Sequence, residues 1–350
     1  MSILYIGPYR QTDGWGKISK NFLDYLFHSI EDKNELSCRN IWYNQNINSV
    51  LTGDLYKFEK RKVNNPEILI QHGIPNNLVY NGKFKKNIAI TSVDHSIENT
   101  SWILNLNMFD TVAVFSEYEK ELLEKSGIKT NIFHFDTYPP NTEDDIIKNF
   151  DLDFKTKKTF YAKVSTKSTT GINEILSAYY STFTLLDNVI LILYSDDKDI
   201  QDFINKFKEK IGLYTDTNFY PMVAIVQDTS LINWSHKFSD FYLNVNYDAK
   251  PTNDFIKSLY YNKLCLCLDN INLFKDYEYY VKSNYEIIAQ NNKNNFYKTN
   301  NHYKIPSSID LSKKMKMAFD NYKIKENKSS LTYKNIHESF INKVKELTCI

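Results

Sequence analysis

Lys163 closes the apolar run Lys158-Thr-Phe-Tyr-Ala-Lys-Val164, and Lys167 follows in the loop Ser165-Thr-Lys-Ser-Thr-Thr-Gly171. A helical pattern then begins, with Ile175, Leu176, Tyr179 and Phe183 on one face. Two cations ahead of a helix N-terminus are suited to holding an anionic group. A second strand-loop-helix unit stands near the start of the chain. There Ser2–Ile6 reads as a strand, Gly7-Pro-Tyr-Arg-Gln-Thr-Asp-Gly-Trp-Gly16 as the loop and Lys17–Ser29 as the helix. Gly14 and Gly16 allow a ligand close to the backbone, and Arg10, Asp13 and Trp15 are costly residues for a plain turn. The dinucleotide pattern Gly-x-Gly-x-x-Gly is absent. Two more apolar runs end in titratable residues: Glu67–Gln71 runs into His72-Gly-Ile-Pro75, and Asn87–Val93 into Asp94-His95. Ligands of doubly wound sheets gather at the carboxyl ends of strands. Asp94 and His95 are therefore candidates for orienting or deprotonating a hydroxyl. For His72 a structural role and a ligand contact weigh equally.

These residues need elements to place them. Thr111-Val-Ala-Val-Phe115 is a continuous apolar, β-branched run, the pattern of a strand covered on both faces. Ser116 caps the following helix, with Glu119 completing a capping box. Arg39–Tyr43 reads as a second strand, and Asn131–Phe135 as a strand stopped by Pro139-Pro140. Beyond that hinge the alternation resumes. Helices are expected over Thr142–Phe150, Asp199–Ile211, Asp228–Phe238 and Asn253–Tyr261, and strands over Val189–Leu193, Phe219–Val226, Asp240–Val245 and Leu264–Leu268. The proline in Phe219–Val226 marks it as an edge or half strand. Asp269–Lys304 reads as helix plus loops, followed by helical patterns at Ile309–Tyr322 and Lys334–Leu347. Two successive βα series predict an α/β protein with two parallel sheets.

Composition bounds the function classes. Of 350 residues, 42% are apolar and 24% charged, ordinary for a globular protein. No apolar run approaches the roughly 20 residues of a membrane span. The opening Met1–Ile6 lacks a basic leader and is expected to be a strand and not a signal peptide. Cys38, Cys265, Cys267 and Cys349 have neither disulfide density nor metal spacing, which predicts a reducing, cytoplasmic setting. A net charge of +1 supplies no global field for nucleic acid. Even so, Lys57, Lys60, Arg61, Lys62, Lys83, Lys85 and Lys86 gather in one aromatic-interleaved stretch, which reads as a solvated face or as a basic face for an anionic acceptor. The bias toward Asn, Lys, Ile and Tyr suggests AT-rich coding, of a virus or a low-GC bacterium.

The segment Thr100–Pro140 carries the sharpest resemblance. A Trp, then Phe-Asp, a valine-rich strand ending in Ser, and a helix closing on Ser-Gly-Ile resemble the end of the first domain of family-4-like glycosyltransferases of the GT-B fold. The resemblance implies two Rossmann-like domains facing a cleft: residues 1–140 for the acceptor, 141–328 for a nucleotide-sugar donor, and a helix within 329–350 crossing back to the first domain. It implies glycosyl transfer to an acceptor hydroxyl with retention, without a metal or other cofactor, a UDP-sugar being the expected donor. Under it, Lys163 and Lys167 hold the donor diphosphate. Asp248 and Asp254 take its sugar or ribose hydroxyls, and Gly14 and Gly16 approach it closely. Asp94, His95 and Asp13 become the catalytic candidates, and Arg10, Trp15 and His72 the acceptor contacts. The chain departs from the family pattern at its second acid. Asp254 follows Asp248 by six residues, and the strict second-glutamate position falls on Ile256. The expected acceptor is a glycan, a lipid-linked sugar or a protein. A hydroxylated base in viral DNA, modified in a host cytoplasm, is the alternative, and a catalytically degenerate binding protein a further one.

Overall fold

A computed structural model describes residues 2–11, 14–43, 54–62, 65–93, 100–139, 156–166, 170–228, 232–247, 252–269, 277–288, 301–321 and 333–349. The chain divides into two compact units, Met1–Thr142 with Lys334–Ile350, and Glu143–Tyr333.

The first unit is built on β1 (Ile3–Gly7), α1 (Gly14–Ser29), β2 (Leu36–Asn40), α2 (Asp54–Lys60), β3 (Ile68–His72), β4 (Lys86–Ile90), α3 (Thr100–Leu106), β5 (Thr111–Val114), α4 (Glu117–Lys125) and β6 (Asn131–His134). Its six strands are parallel, in the order β2-β1-β3-β4-β5-β6. Every residue of β3 and β5 is buried, as the apolar runs require of strands covered on both faces. The strand direction of growth reverses between β1 and β3, which makes their carboxyl ends the topological switch point. Ser116 caps α4 by accepting the Glu119 N–H at 3.2 Å.

The second unit contains β7 (Lys158–Lys163), α5 (Ile172–Thr182), β8 (Val189–Tyr194), α6 (Ile200–Ile211), β9 (Val223–Val226), α7 (Ile232–Phe238), β10 (Phe241–Asn244), α8 (Asn253–Tyr260), β11 (Leu264–Leu268), β12 (Tyr280–Val281), β13 (Ser283–Ile288), β14 (Asn301–Pro306) and α9 (Ser308–Asn321). Its main sheet runs β12-β11-β10-β7-β8-β9, all parallel, with the switch point between β7 and β10. Short β9 is an edge strand just past Pro221. Phe160 of β7 stacks on Phe241 of β10 at 4.5 Å. Leu311, Met315 and Ala318 of α9 are buried in the same core at helical spacing.

The last helix, α10 (Tyr333–Cys349), belongs to the first unit. Its Phe340 stacks on Phe135 at 4.8 Å and meets Phe22 and Tyr25 of α1 at 6.3 and 4.8 Å. Val344 and Leu347 are buried in that core. Among the described residues, no helix is long and apolar enough to cross a membrane.

Three expectations need correction. The second strand lies at Leu36–Asn40 and not at Arg39–Tyr43, because the register with β1 sets Leu36 opposite Ile3. The first helix begins at Gly14, three residues before the apolar period becomes visible. The described residues of Asp269–Lys304 form strand β12 and most of the antiparallel hairpin β13-β14 where helix plus loops was expected, because backbone pairing outweighs the weak helical pattern of Asn- and Tyr-rich sequence; residues 270–276 and 289–300 lie outside the described residues.

Candidate functional site

Lys163 is the final residue of β7. Its side chain is 49% exposed, and its Nζ lies 3.3 Å from Asp254 Oδ2. Asp254 reaches that position from the first turn of α8, a helix whose cap Thr252 accepts the Phe255 N–H at 3.1 Å. A carboxylate there is favoured by the helix dipole. Burial alone would raise the Asp254 pKa, but His236, Lys163 and Lys257 outweigh it and hold the carboxyl well below the usual range. His236, fully buried on α7, lies with Nε2 3.6 Å from Asp254 Oδ1 and Nδ1 2.6 Å from the Tyr161 hydroxyl. Tyr161 sits two residues before Lys163 on β7, hence on the same face of the sheet. Burial raises its pKa well above 10, so it remains a neutral phenol.

Gly171 caps α5 with φ of +69°, and a Cβ there would fall 2.5 Å from the Val245 carbonyl oxygen. The loop between β7 and α5 is tethered by Asp197, which follows β8 and accepts hydrogen bonds from the Ser165 hydroxyl at 3.0 Å and from the Thr166 hydroxyl at 2.9 Å. The Ser165 N–H donates to Thr170 Oγ1 at 2.8 Å. The ends of β7, β8 and β10 thus converge on one loop cluster at the switch point. Lys167 and Asp248 lie outside the described residues. Ile256, where the strict second acid would fall, is 2% exposed and faces the core. Asp240 lies at the opposite, amino-terminal end of the central strands, accepting from the Thr159 N–H at 2.8 Å.

In the first unit, His72 ends β3 and is wholly buried among Tyr5, Trp15, Phe22 and Phe115. Its Nδ1 is 2.9 Å from the Tyr5 hydroxyl, and Nε2 has no hydrogen-bond partner among the described residues. Burial pushes its pKa down to about 3, so the ring is neutral at ordinary pH and offers a hydrogen bond rather than a charge. Trp15 packs edge-on against it at 5.8 Å. Gly16 permits α1 to touch the preceding loop, since a Cβ there would lie 2.0 Å from the Gln11 carbonyl oxygen. Gly14 opens α1, and the space around it would admit a Cβ. Arg10 is engaged internally: its Nε donates to Glu59 Oε1 at 2.8 Å, and its Nη2 pairs with Glu59 Oε2. Asp13, Asp94 and His95 lie outside the described residues. Just before Asp94, the buried Glu119 accepts the Val93 N–H at 3.1 Å and the Phe115 N–H at 2.8 Å, tying together the ends of β4 and β5.

The lysine-rich stretch is broken up by internal partners. Lys85 pairs with Glu67, Lys86 donates to the Leu347 carbonyl at 3.1 Å, and Arg61 donates to the Lys33 carbonyl. Among the described residues, no group of three or more His, Cys, Asp and Glu side chains could hold a metal ion.

Of the residues singled out in the sequence, Lys163 and Asp254 are brought together and Gly171 opens α5, while His236, Asp197 and Glu59 are not among those singled out. Asp197 carried a signal, as an acid at a strand's carboxyl end opposite a Ser/Thr loop. His236 carried none, being a lone histidine inside a helix.

The same two-sheet topology occurs in solved structures. Over its whole length the chain is similar to Anabaena Alr3699/HepE in complex with UDP and glucose, at 9% identity, covering 98% of that chain, with a TM-score of 0.60. It is similar in the same way to the trehalose-6-phosphate synthase OtsA, at 8% identity, covering 100% of this chain and 98% of that one, with a TM-score of 0.57. The chain has the GT-B fold. Against S. aureus TarM it aligns over 79% of its own length and spans 55% of that chain, at 15% identity and a TM-score of 0.47. No protein-family model and no curated protein sequence matches it.

Proposed function

We propose that this chain is a glycosyltransferase that takes a sugar from a nucleoside-diphosphate donor, UDP-linked in the first instance, and passes it to an acceptor hydroxyl with retention of configuration. The observation that carries this reading is the placement of Lys163. A half-exposed ammonium stands at the carboxyl end of β7, at the switch point of the second sheet, on the strand whose loop leads into the N-terminus of α5. Departure of a diphosphate leaves negative charge on its oxygens, and a fixed ammonium near helix N–H groups stabilises that charge. The full-length likeness to HepE, whose structure holds UDP and glucose, supports UDP as the nucleotide. Asp254 acts as the anchor of Lys163, with carboxylate lone pairs left for a ribose or sugar hydroxyl. The expected acceptor is a glycan, a lipid-linked sugar or a protein hydroxyl.

The test is donor hydrolysis and thermal shift across a panel of UDP-, GDP- and ADP-sugars. A shift with the UDP-sugars and release of UDP are expected, and silence across the panel would end this reading. Buried Ile256 at the second acid position favours one other reading, nucleotide binding without turnover. UDP binding with no product from any donor and acceptor pair distinguishes it.

A further inference from the structure

Four side chains from three elements run in one line from the core of the second unit to its surface. Tyr161 and Lys163 come from β7, His236 from α7 and Asp254 from α8. The Tyr161 hydroxyl lies 2.6 Å from His236 Nδ1, within hydrogen-bond range; His236 Nε2 stands 3.6 Å from Asp254 Oδ1, an ion-pair distance beyond hydrogen-bond range; and Asp254 Oδ2 lies 3.3 Å from Lys163 Nζ. Tyr242 and Tyr261 pack against the imidazole at ring distances of 5.8 and 6.4 Å. The ring is therefore confined in orientation as well as in place. An apolar side chain would fill this buried space without the desolvation cost of an imidazole.

We propose that His236 is a positioning residue: it fixes the Asp254 carboxylate and, through it, aims the Lys163 ammonium at the donor diphosphate. This rests on the reading of Lys163 as a diphosphate ligand. A lysine has a flexible four-carbon stem whose ordering costs rotamer entropy. Asp254 orders that stem before the ligand arrives. A carboxylate can do so only if its own plane is held, and its two oxygens face different partners, Lys163 on one side and His236 on the other. The Tyr161 hydroxyl in turn holds the imidazole from the far nitrogen. Departure of the diphosphate then meets a cation already in place, with no reorganisation during the reaction.

The experiment uses the full chain with UDP as probe, measured by calorimetry. His236→Phe keeps the ring volume and removes both nitrogens, and should weaken UDP binding about tenfold, equivalent to about 1.4 kcal/mol. His236→Gln, which restores an amide near the Nε2 position, should recover most of that loss. Lys163→Ala should weaken binding at least as much as His236→Phe, and the double variant should be no weaker than Lys163→Ala, because His236 acts only through the lysine. Additive losses, or a His236→Phe protein with wild-type affinity, overturn the proposal. A second measurement needs no nucleotide and a folded His236→Gln protein suffices for it. The Asp254 carboxyl carbon is followed by NMR against pH, and its titration should move toward the ordinary carboxylate range when Nδ1 and Nε2 are lost or displaced. A titration unmoved in both variants overturns the hold of His236 on Asp254 whatever UDP does. Wild-type protein that binds none of UDP, GDP and ADP overturns the glycosyltransferase reading and the aim of Lys163 with it, and the NMR result separates the two failures.

Discussion

Gly171 lies so close to Val245 that a Cβ on it would fall 2.5 Å from the Val245 carbonyl oxygen. Its φ of +69° would strain any other residue as well. The two constraints act on one point, where α5 begins against the end of β10. Gly171→Ala should therefore destabilise the second unit by roughly 2–4 kcal/mol, the sum of left-handed strain and a backbone clash. Urea denaturation followed by tryptophan fluorescence, with UDP affinity measured in parallel, checks this. A variant as stable as the parent would mean that the contact is not maintained.

Lys163 separates binding from stability. Its ammonium is half exposed, and ion pairs with one end in solvent contribute about 1 kcal/mol or less to folding. Lys163→Ala should leave the melting temperature nearly unchanged while weakening UDP binding by about tenfold or more, in line with the loss of a charge-assisted contact. Lys163→Arg should retain part of the affinity. A large drop in melting temperature would assign the lysine to the fold instead.

His72 predicts a pH dependence of stability. The folded ring has a pKa of about 3, while the unfolded chain takes up its proton near pH 6.5. Between those values the unfolded state binds more protons, so stability is full above about pH 6.5 and falls as pH drops toward 3. From pH 7.5 to 5 this single group should remove about 2 kcal/mol. His134 and His337 are also shifted downward by burial and act in the same direction. His72→Gln isolates the contribution: its urea midpoint should depend less steeply on pH than that of the parent. Equal slopes in the two proteins would refute the assignment.

Glu119 uses both carboxylate oxygens, Oε1 for the Val93 N–H and Oε2 for the Phe115 N–H. A glutamine places an NH2 group against one of these donors. Glu119→Gln should cost on the order of 2–4 kcal/mol and speed amide exchange at Val93 or Phe115, whichever loses its acceptor. Unchanged exchange at both amides would contradict the observed bonding.

The strands were legible in the sequence where both faces are covered. Val112–Phe115, Ile68–Ile70 and Val189–Leu193 announce themselves as unbroken apolar runs. Leu36–Asn40 does not, because Ile41, Trp42 and Tyr43 are stronger strand formers than Ser37 and Asn40, and only pairing with β1 decides the register. Lys163 and Gly171 stand out because strand, loop and helix follow one another closely in sequence, whereas Asp254, 91 residues beyond Lys163, is singled out only by the family resemblance. The pairing of Arg10 with Glu59 spans 49 residues, and the contact of Tyr161 with His236 spans 75. No local pattern encodes such distances, so Arg10 read as an exposed ligand contact and His236 did not register at all.

Helix α10 also ties the order of synthesis to the order of folding. The strands of the first unit leave the ribosome early, yet Phe22, Tyr25 and Phe135 meet Phe340 only after all of Glu143–Tyr333 has been made. The second unit has its whole sequence available while the first still lacks part of its core. Released chains that end before Tyr333 should accordingly be cut by protease within the first unit and resist cutting in the second, and protection of the first should arrive only with α10. Protection of the first unit in such truncated chains would show that it closes without its last helix.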